Sequence, residues 1–167
     1  SRTYLESMEV ETMLSLLKVI DNPMQDIPLV TVLRSNIFNF TDNDLMQIRL
    51  VDKQCRFYEA MQKARISVDT ELRHKIATTI EKIQTWKAEE KYMALDELIW
   101  KIYLDTGFYH YVSLLPNGGL RQANLKMLFE KAKQYEKASF KGLYNFINFI
   151  DKVKTSSGDA SSAKIIG

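Results

Sequence analysis

Residues 69–91 read DTELRHKIATTIEKIQTWKAEEK, and this stretch decides the fold class. Leu72, Ile76, Ile80, Ile83 and Trp86 recur at steps of four and three, which places them on one side of an α-helix. No glycine or proline interrupts the run, so a helix of about six turns is expected, long enough to serve as a scaffold for shorter neighbours. Toward the N-terminus, Thr3-x-x-Glu6 has the spacing of a capping box, and Val10, Met13, Leu14 and Leu17 follow on one helical face until Asp21-Asn22-Pro23. Residues 26–33 are apolar and β-branched, too short for periodicity to separate strand from buried helix, and are taken as a short helix. Thr41-x-x-Asp44 opens a helix to about Val51, and another spans about residues 55–64 with Phe57, Met61 and Ala64 buried.

Toward the C-terminus, Leu95, Leu98, Ile99, Ile102 and Tyr103 mark a helix that stops at Thr106-Gly107, where glycine suits a left-handed cap. Residues 108–115 make a further short helix. Pro116-Asn117-Gly118-Gly119 is the strongest loop signal. It leads into a helix bearing Leu125, Leu128, Phe129, Ala132 and Tyr135, and Ser139 is placed to cap a last one with Phe140, Leu143, Phe146, Ile147 and Ile150. Residues 155–163, TSSGDASSA, have the composition of a linker. The expected fold is therefore all-α, an irregular bundle of seven to nine helices without strands or internal repeats.

With 167 residues and 46% hydrophobic content, the chain can build one core of ordinary size. A net charge of +2 excludes a wholly basic nucleic-acid-coating surface, so any such contact is local. One cysteine, Cys55, allows no internal disulfide and suits a reducing, cytoplasmic setting. Apolar stretches are broken by charges well short of a membrane span, and no membrane contact is expected. The chain starts without Met and inside helical patterning, and its tail breaks off on Ile165-Ile166-Gly167. Both ends suggest a piece of a longer protein.

Catalytic chemistry is not evident. There is no G-x-x-x-x-G-K-[ST] loop, so neither ATP nor another cofactor is expected to bind this segment. His74 and His110 lack partners at metal-ligand spacing, Asp96-Glu97 suits the first turn of a helix, and Cys55 has no nearby histidine. Charge distribution is more informative. Residues 120–154 hold eight basic side chains against three acidic ones, a local +5 that leaves the remainder at about −3. Such a face either contacts phosphates without regard to sequence or is simply solvated. The junction from Pro116 to Leu125 admits two readings as well. A helix N-terminus with Arg121 can receive a DNA phosphate, or the turn is structural and Arg121 and Asn124 bridge to neighbouring helices.

Two sets of short motifs, in order, carry a resemblance. Glu9-Val10, Ile20-Asp21-Asn22-Pro23, Asp26-Ile27-Pro28-Leu29 and Leu33-Arg34-Ser35 form the first. The second runs from Leu95-Asp96-Glu97-Leu98-Ile99-Trp100 and Thr106-Gly107 through Gly119-Leu120-Arg121-Gln122-Ala123-Asn124-Leu125 to Phe140-Lys141-Gly142-Leu143 and Phe149-Ile150. They resemble the region between helicase motifs in the AddA (RexA) family of UvrD-like superfamily 1 helicase-nucleases. Asn36 departs from the proline usual there, and residues 51–92 carry little signature.

The resemblance implies that residues 1–154 form a helical 2B-type accessory domain, with residues 1–35 open to assignment to the adjoining 2A-type motor domain. Residues 155–167 would be a linker back to the motor. It further implies a parent enzyme using ATP and Mg to translocate 3′ to 5′ on DNA, with a nuclease domain, acting in double-strand-break repair and recombination. The partners implied are forked or duplex DNA, the remaining domains of the same polypeptide and a second protein of AddB/RexB type. Arg121, Gln122, Asn124, Lys126, Lys133, Lys137 and Lys141 are the DNA-binding candidates. The competing reading is a structural coupling module that touches no DNA.

Overall fold

A computed structural model describes residues 2–138 and 142–166, with side chains for 3–138 and 142–156. Among the described residues the chain is all-α, with nine α-helices and no strand. They are α1 (Met8–Asp21), α2 (Asp26–Arg34), α3 (Asp42–Val51), α4 (Phe57–Ala64), α5 (Thr70–Glu90), α6 (Leu95–Thr106), α7 (Phe108–Ser113), α8 (Gly118–Ala138) and α9 (Leu143–Ile166).

The centre of the bundle is α1, which packs on α2, α5, α8 and α9. Leu16, Val19 and Ile20 are buried along with Val10, Met13, Leu14 and Leu17, so the helix is apolar on several sides and is enclosed accordingly. On one side α2, α3 and α4 close over it, and on the other α6 to α9 do. The long helix α5 joins the two halves through α1, α4 and α6, and its stripe Leu72, Ile76, Ile80, Ile83 and Trp86 is buried throughout.

Local signals fix several helix ends. At α3, Thr41 accepts from the Asp44 amide at 3.0 Å while the Asp44 carboxylate accepts from the Thr41 amide at 2.9 Å, the reciprocal capping box. Asp69 caps α5 through the Leu72 amide at 2.9 Å. Gly107, at φ +67°, ends α6 in the left-handed conformation that a side chain disfavours.

Other ends depart from the sequence reading. Thr3-x-x-Glu6 does not open α1: residues Arg2–Glu6 form a 3₁₀ turn closed on the Tyr4 carbonyl, which accepts from both the amide and the hydroxyl of Ser7, and α1 begins at Met8. The fourth helix starts at Phe57, two residues later than expected. Gly118 and Gly119 lie inside the first turn of α8, after Asn117 at φ +59° has turned the chain. A Cβ on buried Gly118 would run into the Ser113 carbonyl, so this tight turn requires glycine. The expected Ser139 cap and Phe140 lie outside the described residues. Residues 155–163, expected as a linker, are helical in backbone as part of α9.

Where the N-cap residue offers no side-chain bond, a remote side chain supplies one. The α4 cap position is Arg56, and the Phe57 amide donates instead to Asp26 on α2 at 3.0 Å. The α6 cap position is Ala94, and the Leu95 amide donates to Glu136 on α8 at 2.7 Å. At the C-terminus of α1, Lys87 of α5 donates to the Ile20 and Asp21 carbonyls at 3.1 and 2.8 Å. We expect Asp26→Ala and Glu136→Ala each to lower stability in urea unfolding by about 1 kcal/mol, and Asp96→Ala by less than about 0.5 kcal/mol. Equal losses from all three would count against the remote caps.

Candidate nucleic-acid interface

The sequence placed the candidate site on the helix that follows the Pro-Asn-Gly-Gly turn, and the structure divides that helix into an inner and an outer face. The inner face is fixed by a buried carboxylate. Glu9 of α1 is 1% exposed and sits on the stripe Glu9, Met13, Leu16, Ile20. Its Oε1 accepts from the Arg121 guanidinium at 2.8 Å and its Oε2 from the Asn124 amide at 2.8 Å. Burial alone pushes the Glu9 pKa up. Hydrogen bonds from Asn124, its own backbone, Ser7 and Arg121 outweigh burial and hold the carboxyl below its ordinary value. Arg121 also donates from Nε to the Pro116 carbonyl at 2.8 Å, which ties the turn to the same clamp.

Two further bonds hold α8 from inside. Gln122 donates to the Tyr109 carbonyl on α7 at 3.0 Å, and the buried Tyr103 hydroxyl of α6 donates to the Leu125 carbonyl at 2.7 Å. Tyr103 lies in an aromatic cluster with Trp100 and Tyr109, and Trp100 also meets Phe129. Its hydroxyl pKa is pushed well above the usual tyrosine value, by burial first and by Tyr109 and Tyr4 next. Of the two readings of the junction, bridging is what the structure displays: Arg121 and Asn124 meet α1, and Gln122 meets the last residues before the turn.

The outer face holds the lysines. Lys126, Lys133 and Lys137 are exposed, form no ion pair among the described residues, and share one side of α8 at steps of seven and four, with Glu130 between them. Lys131 is half-buried with its ammonium over the Phe149 ring at 5.6 Å. On α9, Lys154 pairs with Glu11, and Asp151 pairs with Lys18 at 3.3 Å. The basic excess of residues 120–154 is therefore not evenly available, and α8 presents most of it. Lys141 lies outside the described residues.

The remaining candidates for chemistry are accounted for. His74 and His110 are exposed, Asp96 and Glu97 sit in the first turn of α6, and Cys55 is half-buried. Among the described residues no group of three His, Cys, Asp or Glu side chains could hold a metal, and no helix is long and apolar enough to cross a membrane. Asn36, where the sequence departs from the expected proline, donates to the Tyr111 hydroxyl at 2.5 Å and so joins the turn after α2 to α7.

These features define an all-α bundle with an internally clamped helix and a lysine-bearing outer face. Over 98% of its length the chain is similar to a segment of proteins named as the AddA-type subunits of ATP-dependent helicase/nucleases. The identity is 53% to the protein of Thermoanaerobacter pseudethanolicus, 49% to that of Acetivibrio thermocellus and 46% to that of Clostridium botulinum. It is homologous to that segment of these proteins, and it spans only 13–15% of their length. No family model matches it.

The clamp has a pH signature. Because the folded-state pKa of Glu9 lies below its ordinary value of 4.5, its stabilising contribution is fully present above that value and is lost as the pH falls below it. We expect Glu9→Gln to destabilise the fold by about 2 kcal/mol at neutral pH. It should also flatten the loss of stability on acidification below pH 4.5, measured by urea unfolding at a series of pH values. An unchanged acid slope in the variant would show that Glu9 is not coupled to folding.

Proposed function

We propose that this chain is a 2B-type accessory domain of the motor subunit of an ATP-dependent 3′–5′ DNA helicase and exonuclease of double-strand-break repair, and that it meets forked or duplex DNA through the outer face of α8. Homology to the helicase/nuclease proteins supports the motor assignment. The single observation behind the DNA contact is Lys126, Lys133 and Lys137 exposed and unpaired on one side of a helix whose other side is clamped. A rigid row of ammonium groups spanning about 16 Å suits phosphates of any sequence, as a motor requires. In this reading Arg121, Gln122 and Asn124 are positioning residues that hold α8. ATP and Mg belong to other domains of the cytoplasmic parent enzyme.

A second reading, a coupling module between the motor core and an AddB/RexB-type partner, has its own observation. Leu114 and Leu120 are 84% and 63% exposed on either side of the turn that Arg121 fixes, a firm apolar tip suited to docking.

Fluorescence anisotropy with labelled forked DNA separates the two. For the wild-type chain we expect log K to fall with log salt at a slope of about −3, and K126A/K133A/K137A to lose most of that slope and about tenfold in affinity at low salt. Arg121→Ala should keep the slope wherever it remains folded. Binding unaffected by the triple substitution would leave the coupling module as the reading that stands.

A further inference from the structure

Beside the lysine row, α8 forms one wall of the largest cavity in the described structure, a groove of about 880 Å³ between α8, α9 and the N-terminal turn. Ala123 and Met127 line it from α8, Phe149 from α9 and Tyr4 from the turn. Lys126 and Glu130 line it too, and both lie on the same side of α8 as Lys133 and Lys137, so the row of lysines is the lip of the groove.

We infer that this groove takes the bases of single-stranded DNA while the backbone follows the lysine lip, an inference that rests on the reading of α8 as DNA-facing. Charge selects the class of occupant. The lip offers Lys126, Lys133 and Lys137 against Glu130, so it favours an anionic chain over a purely apolar one. Shape and chemistry select the single strand. A duplex keeps its bases stacked inside and has nothing to place in an apolar recess, whereas an unpaired strand carries phosphates and flat apolar faces side by side. Phe149 is covered on its ring by Tyr135 at 4.9 Å and by Lys131 at 5.6 Å, which makes it floor. The half-buried Tyr4 ring and the partly exposed Met127 thioether are the surfaces against which bases rest.

The test compares labelled oligothymidylate with a duplex of equal length at low salt. Ala123 is exposed, so Ala123→Trp fills the groove without entering the core, and Met127→Glu, which places a carboxylate there, serves if the first variant fails to fold. We expect either variant to weaken single-strand binding about tenfold and leave duplex binding within about twofold, and to abolish the fluorescence change of an oligonucleotide carrying 2-aminopurine. The inference is overturned if single- and double-strand affinities fall together, if neither changes, or if an acidic amphipathic helical peptide binds the groove while both DNAs are unaffected. If K126A/K133A/K137A weakens both DNAs but the groove variants are silent, only the groove assignment fails. If the triple variant is silent, the reading of α8 fails with it.

Discussion

The Glu9 carboxylate, buried on the central helix and held between Arg121 and Asn124, constrains everything on the C-terminal side of the bundle. Moving an isolated carboxylate out of water is costly, so the chain can bury α1 on this face only if another helix delivers donors to both oxygens. The N-terminal turns of α8 do so, with residues one turn apart. Their approach sets the rotation of α8 about its axis, and that rotation turns Lys126, Lys133 and Lys137 outward. An acid in the core thus determines which side of a helix 112 residues away is basic.

The same principle of remote partnership governs the helix ends. Asp26, Glu136 and Lys87 each satisfy the backbone of a helix other than their own. Such caps couple helix formation to assembly, because α4 and α6 gain them only when α2 and α8 are docked. The turn before α8 obeys the same logic: Gly118 lets it close against Ser113, and Arg121 then holds it by the Pro116 carbonyl.

Much of the fold was legible because the apolar periodicity of α5, α6 and α8 is regular and because Thr41, Asp69 and Gly107 are local signals. The caps at α4 and α6 were not legible, since Arg56 and Ala94 promise nothing and the partners lie 31 and 41 residues away. The opening of α1 was misread because capping-box spacing at Thr3 does not report that the chain first closes a 3₁₀ turn. For the site, the basic excess was visible as a sum, but its division into paired, ring-covered and free lysines depends on α1 and α9. Arg121 looked open to an anion for want of a visible partner. The signal was present at Glu9, an acid on the apolar stripe of a helix, which calls for a cationic or amide donor elsewhere in the chain.

In a chain homologous to part of a helicase/nuclease, clamping a helix from inside and charging it outside is a coherent way to present a fixed surface. Its dependence on Glu9 is most directly measured by a double-mutant cycle in urea unfolding at neutral pH, using Glu9→Gln, Arg121→Ala and the pair. The account predicts a coupling energy of about 1 kcal/mol or more between the two positions. Losses that add to within about 0.5 kcal/mol would contradict it.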